Sequence, residues 1–211
     1  MLTNGLNHNS KPPEGVGGFK SHRGGFRRLF FASYDIVFQE IPNEITLALN
    51  ISGCPNRCKG CHSPHLQTDC GEELTEEVIE NLLHNYGNAI TCVCFMGGDQ
   101  APETVLHFAQ FVRRGVPMCA PCNEQCAPNN GQTHKPNNGQ TQGQTHRSAP
   151  TIKTAWYSGK SEIHPNAMRF FDYIKIGDYR EELGGLQSPA TNQRLYKIEN
   201  EKLLDVMPIA S

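Results

Sequence analysis

Residues 44–62 read EITLALNISGCPNRCKGCH, and this stretch decides the fold. Its first part, Glu44–Ile51, reads as a strand with mixed apolar faces. The strand stops at Ser52-Gly53. Three cysteines, Cys54, Cys58 and Cys61, then follow at C-x3-C-x2-C spacing. In open α/β sheets ligands collect at the carboxyl ends of strands, so a loop in this place is well sited to hold one.

Outward from this stretch, strands alternate with helices. The spacing predicts a helix from Thr75. The Thr75 hydroxyl caps the free amides, Glu76 and Glu77 suit the positive helix end, and Leu74 staples onto Ile79. Val78, Ile79, Leu82 and Leu83 make its buried stripe, and Gly87 stops it. Ala89–Met96 reads as a buried strand. Pro102 opens a second helix with Val105, Phe108, Ala109 and Val112 on one face and Gly115 as its stop. Strands are expected at Thr151–Tyr157 and Tyr173–Ile176, and a hairpin from Arg194–Ile198 and Lys202–Val206 around Glu199-Asn200-Glu201. Phe30–Ile41 reads as an extended lead-in. The alternation implies an α/β fold with a parallel sheet.

Two stretches do not read as core. Residues 1–28 are rich in Gly and Pro and carry Lys11, Lys20, Arg23, Arg27 and Arg28 against Glu14 alone, the composition of a disordered arm. A low-complexity insert at about 116–150 repeats Pro-Asn-Asn-Gly-Gln-Thr at 128–133 and 136–141, with too little apolar area to offset its ordering entropy. The expected organisation is therefore a 1–28 tail and one domain over 29–207, interrupted by the insert.

Composition narrows the function classes. The chain has 211 residues, 37% hydrophobic and 19% charged, with a net charge of -2. That balance excludes a whole-chain polycation holding nucleic acid by charge. No apolar run approaches the ~18 residues that span a bilayer, and no apolar signal-peptide region opens the chain. The expectation is a cytoplasmic protein with no membrane or nucleic-acid partner. Its nine cysteines then read as metal ligands or catalytic groups before disulfides.

The cysteine loop has a specific chemistry. Structural zinc wants four ligands in two separated pairs. Three thiols in one tight loop instead suit a cubane iron–sulfur cluster, whose fourth iron stays open to a small molecule. A zinc or structural knuckle completed by His62 or Cys70 is the competing reading. Cys92 and Cys94 alternate on an apolar strand and read as small buried hydrophobes. Cys119, Cys122 and Cys126 form a second, mirrored triad that either binds metal, with His134 or His146, or is a set of exposed thiols. Trp156 reads as core, Asp172 and Asp178 as solvated or capping. Glu72, Glu73, Glu76 and Glu77 read as a helix start and solvent face.

The C-x3-C-x2-C loop after the first core strand resembles the cluster motif of the radical S-adenosylmethionine (SAM) family. Met96-Gly97-Gly98-Asp99, after the next strand, is similar to that family's element for the SAM amino group: glycines admit a ligand to the backbone and a carboxylate pairs with an ammonium. Gly60 departs from the family, where an aromatic is common. Cys-Lys-Gly-Cys-His resembles instead the loop of the activating proteins of anaerobic ribonucleoside-triphosphate reductase. Thr154–Gly159, Tyr173–Tyr179, Glu181-Glu182-Leu183 and Ser188–Arg194 resemble that group's later motifs.

The resemblance implies an incomplete (β/α) barrel and a [4Fe-4S] cluster on Cys54, Cys58 and Cys61. It implies SAM held near Gly60, His62, Gly97, Gly98, Asp99, Ser158 and Lys175. Lys175 either reaches the SAM carboxylate or snorkels to solvent. The implied activity is reductive cleavage of SAM to a 5′-deoxyadenosyl radical, which takes hydrogen from a glycine Cα of the reductase large subunit. An electron donor such as flavodoxin or ferredoxin is then a further partner. A chain this short leaves little room for a large substrate pocket, in keeping with a macromolecular substrate. The alternatives are a radical SAM enzyme with a small-molecule substrate, of the deazaguanine-forming type, and a non-enzymatic metal-binding module.

Overall fold

A computed structural model describes residues 26–115 and 152–207. In chain order it contains β1 (Phe30–Val37), β2 (Thr46–Ile51), β3 (Glu72–Glu73), α1 (Glu76–Tyr86), β4 (Cys92–Met96), α2 (Pro102–Arg114), β5 (Lys153–Tyr157), α3 (Ala167–Phe170), β6 (Tyr173–Ile176), β7 (Arg194–Glu199) and β8 (Lys202–Asp205). One eight-stranded open sheet runs β3-β1-β2-β4-β5-β6-β7-β8. Its centre, β2-β4-β5-β6, is parallel, and antiparallel strands flank it on both sides. The strand pairing is thus that of a mixed, open α/β sheet. No described helix is long and apolar enough to cross a membrane.

The helices form where the local signals put them. The Thr75 hydroxyl accepts the Val78 amide at 3.2 Å, and Ile79, Leu82 and Leu83 are buried. Gly115 closes α2 with φ +74, the left-handed backbone that favours glycine. Gly87 ends α1 in ordinary helical backbone. The Ala89 and Ile90 amides both return to the Tyr86 carbonyl, so β4 starts at Cys92 and not at Ala89.

Three readings change. The lead-in is strand β1, antiparallel to β2 with Val37 opposite Thr46. Glu72 and Glu73 are not a helix start. They form the short edge strand β3 against Phe31 and Phe30, and Glu73 pairs with Arg28. The end of the basic stretch is also docked: the Arg27 carbonyl accepts the Thr104 hydroxyl, and Phe26 stacks on His107. The rest of the predicted tail, the insert and the Cys119, Cys122, Cys126 triad lie outside the described residues.

Alternation on the strands divides the core. Val93, Phe95, Trp156 and Ile174 face the helices. Cys92, Cys94, Ala155 and Tyr173 face the other way, under Ile41 and Leu195. Cys92 and Cys94 are fully buried, and burial pushes both thiols far up, so they stay neutral. At the amino ends of the parallel strands sits Glu44, a buried carboxylate. It accepts Thr91 Oγ1 at 2.7 Å, the Tyr173 hydroxyl at 2.9 Å and the Lys153 ammonium, and so ties β2, β4, β5 and β6 together. Asp172 is not simply solvated: it accepts the Thr154 amide at 2.8 Å and pairs with Arg113 at 2.7 Å, joining β5 to α2.

Candidate functional site

The cysteine loop leaves β2 at its carboxyl end and is folded back on itself. Ser52 Oγ donates to the Cys70 carbonyl at 2.8 Å and accepts the Cys70 amide at 3.1 Å, a two-bond clamp across the loop base. The Gly53 amide bonds the Thr68 carbonyl and the Cys54 amide the Leu66 carbonyl. Gly53 has φ +74, and a Cβ there would lie 2.3 Å from Asp69 Oδ1, so the turn needs glycine.

Cys54, Cys58 and Cys61 are free thiols, each half-buried. They feel one another: Cys54 is pushed up first by burial, then by the charges of Asp99, Cys58 and Cys61. A cation bound among the three would offset that penalty. Among the described residues no three His, Cys, Asp or Glu side chains converge as ligands of a single metal ion. A four-iron cluster asks for a different arrangement, thiolates spread over separate irons. The donor set of three half-exposed thiols on one loop fits that group. Cys70 is held through its backbone by Ser52, and its thiol faces the His65 carbonyl at 3.7 Å.

The Gly97–Asp99 turn follows β4 beside the loop. Gly97 and Gly98 have φ +110 and +92, and a Cβ on Gly98 would sit 2.4 Å from Val105 Cγ2. The Trp156 indole donates to the Gly97 carbonyl at 2.8 Å, so the single Trp is core and also fixes this turn. Asp99 accepts Ser158 Oγ at 2.6 Å on one oxygen, and Asn56 Nδ2 at 2.6 Å and the Gly159 amide at 2.8 Å on the other. Gly159, which closes the Thr154–Gly159 motif and was read from sequence with Ser158 as following a strand end beside the pocket, belongs to this cluster. Asn56 belongs to it too and was not singled out by sequence; its only signal is its position between Cys54 and Cys58.

Lys175, on β6, is 8% exposed. Its ammonium donates to the Gly177 carbonyl at 2.9 Å and lies 6.0 Å from the Tyr157 ring centre. Burial brings its pKa down to about 8 against the opposing pull of Asp99, Cys58, Asp178 and Cys94. The snorkelling alternative therefore falls: the cation points inward. Asp178 accepts Asn192 at 3.1 Å and Arg180 at 3.3 Å, bracing the segment after β6.

A cavity of about 990 Å³ opens here. Cys61, His62, Lys175, Tyr157 and Tyr179 line it, with the His62 and Tyr179 rings 4.4 Å apart. Phe38, Glu40, Leu195, Val206 and Met207 complete the wall. Its volume is at the upper end of the ~300–1,000 Å³ of small-ligand pockets, so the short chain does enclose substantial room. Of the residues singled out from sequence, Cys61, His62 and Lys175 line the cavity. Gly97, Gly98, Asp99 and Ser158 do not; they form the hydrogen-bonded bed at the adjacent strand ends. Gly60 lies on the loop with φ +70, where Glu181 occupies the space a side chain would need.

Comparison with known proteins adds one finding. A family model described as a 4Fe-4S single cluster domain matches residues 45–120, from the front of β2 through the cysteine loop, α1, β4, the Gly97–Asp99 turn and α2. No curated protein and no solved structure matches the chain. The match indicates a 4Fe-4S cluster-binding domain, the chemistry that the three-thiol loop fits, and is compatible with an oxidoreductase.

Proposed function

We propose that this chain is a radical SAM activase: it binds a [4Fe-4S] cluster and SAM, and generates a glycyl radical on an anaerobic ribonucleoside-triphosphate reductase. The observation that carries the reading is the cysteine loop at the carboxyl end of a parallel strand, bonded directly to the carboxylate of Gly97-Gly98-Asp99. A thiol-rich loop and an ammonium-binding turn thereby share one site. The open sheet is read as the incomplete barrel of that family, with the cavity beside Cys61 and Lys175 as the reaction chamber.

Each residue then has a task. Cys54, Cys58 and Cys61 hold the cluster and leave one iron for the ligand. Asp99 offers a carboxylate to the SAM ammonium, and Gly97 and Gly98 let the ligand approach the backbone. Lys175 offers the one buried cation on the cavity wall among the described residues, suited to the SAM carboxylate. Ser158 orients Asp99. Tyr157 donates to the Glu40 carbonyl and so braces the cavity wall between β5 and the segment after β1. When bound, the cluster and SAM supply reductive C–S cleavage and the radical that takes hydrogen from a glycine Cα; the protein binds, orients and keeps water out.

The cavity volume favours a second reading, a radical SAM enzyme acting on a small molecule. One experiment separates the readings. Anaerobically purified protein is assayed for iron and sulfide, then for SAM cleavage under reduction, with and without the reductase. About four irons and sulfides per chain, SAM cleavage, and a glycyl radical signal on the reductase by electron paramagnetic resonance support the activase. SAM cleavage without any reductase radical supports the small-molecule reading. Zinc without sulfide refutes both.

A further inference from the structure

Among the described residues, one hydrogen bond connects the segment Cys54–Cys61 to the strand ends: Asn56 Nδ2 to Asp99 Oδ2, at 2.6 Å. The segment's other hydrogen bonds, from the Cys54 amide to Leu66 and the Cys61 amide to Cys58, stay inside the loop. We propose that Asn56 is a positioning residue, whose amide ties the three-thiol loop to the Asp99 carboxylate and sets the cluster's place relative to the ligand's ammonium.

Three observations support the tie. The next residue, Arg57, has φ +46, a left-handed backbone that a side chain such as arginine resists, so something must hold the turn in place. Gly159 packs so closely on Asn56 that a Cβ there would lie 2.2 Å from Nδ2. Asp99 itself is fixed from the other side by Ser158 Oγ and the Gly159 amide. A carboxylate offers about four acceptor sites, so three protein donors leave about one for a ligand cation. Asp99 is then shared between loop and ligand. This rests on the activase reading only for the identity of that cation; the tie itself does not depend on it.

The test uses the full, iron-loaded chain under anaerobic conditions. Two readouts are taken: the rate of iron release to a ferrous chelator, and SAM affinity by equilibrium dialysis. Asn56→Asp sets two carboxylates face to face and should speed iron release roughly tenfold, the scale of one charge-assisted bond. Gly159→Ala, which displaces Asn56 without altering the loop's sequence, should do the same. Asn56→Ala should keep the cluster and weaken SAM binding roughly tenfold. Wild-type release rates in Asn56→Asp overturn the tie. Altered release with unchanged SAM affinity in Asn56→Ala overturns its role in placing the ligand. Wild-type protein that takes up four irons but binds no SAM refutes the activase reading instead, while the release rates still judge the tie.

Discussion

Lys175→Met tests whether a buried charge is kept in this site at a cost to stability. The Lys175 pKa falls from an ordinary 10.5 to about 8, first because burial penalises the ammonium. Each tenfold in proton affinity is about 1.4 kcal/mol, so the fold carries about 3 kcal/mol of penalty while the lysine is charged in both states. Methionine fills a similar volume without that charge. The Gly177 carbonyl loses one donor, but Gln193 Nε2 still reaches it at 3.3 Å, so the loss costs about 1 kcal/mol. The variant should therefore be about 2 kcal/mol more stable than wild type at pH 7. The pH dependence follows from linkage. Between about pH 8 and 10.5 the folded lysine gives up its proton while the unfolded one keeps it. The unfolded state then binds more protons, so wild-type stability rises with pH in that window and the variant's advantage fades. Urea unfolding of the reduced, iron-free chains at pH 7 and pH 10 measures both numbers. A variant less stable than wild type at pH 7, or an advantage that does not shrink by pH 10, refutes the reasoning. On the activase reading, the same variant loses SAM affinity, the familiar exchange of stability for a binding group.

Replacing Cys54, Cys58 or Cys61 with Ala should each abolish iron and sulfide uptake, whereas Cys92→Ala should keep the cluster and cost on the order of 1 kcal/mol of packing in urea unfolding. Gly98→Ala should destabilise by about 2 kcal/mol, since φ is +92 and its Cβ would press on Val105 at 2.4 Å; an unchanged urea midpoint would count against the turn geometry. Burial alone would raise the Glu44 pKa, but donors from Lys153, Thr91 and Tyr173 outweigh it and hold it low. Its stabilisation is thus present above the unfolded value and lost as acid protonates the folded carboxylate, so Glu44→Gln should cost about 2 kcal/mol at pH 7 and flatten the acid limb of a stability–pH curve. Exchanging 119–150 for a short Gly/Ser linker should leave iron content unchanged, because lengthening a loop adds only ~0.6 kcal/mol of closure cost per doubling; a halved iron count would make that segment a metal-binding element.

Much of the fold was legible because its signals are local. The Thr75 cap, the apolar stripe of α1, Pro102 at the start of α2 and the apolar run of β4 each act within one element. What the sequence hid depends on partners. Phe30–Val37 has no clean alternation, since β1 is half-buried along nearly its whole length, and only its pairing with β2 makes it a strand. Glu72 and Glu73 carry the charge of a helix start, and a two-residue edge strand leaves no periodicity to read. Asp172 looks like any surface acid until β5 and α2 are set beside it.

The candidate site divides along the same line. Its candidate ligands are contiguous: three cysteines within one loop and two glycines with an aspartate in one turn, which is why their spacing alone pointed to chemistry. The hydrogen-bonded pairs that hold the surrounding structure are distant in sequence, Asn56 and Asp99 by 43 positions, Ser158 and Asp99 by 59, and, at the far end of the strands, Lys153 and Glu44 by 109. No motif encodes such pairs, because they are created by strand register. Parallel pairing sets Asn50 beside Met96 and Met96 beside Tyr157. The residues just beyond those strand ends, the cysteine loop, Gly97–Asp99 and Ser158-Gly159, are therefore delivered to one place. A single-residue slip of β5 against β4 would turn every β5 side chain to the opposite face and take the Ser158-Gly159 turn away from Asp99. The Glu44 network at the other end of the same strands opposes that slip, for it requires Thr91, Lys153 and Tyr173 in register at once. The buried carboxylate far from the cysteines thus helps to hold the register on which their surroundings depend.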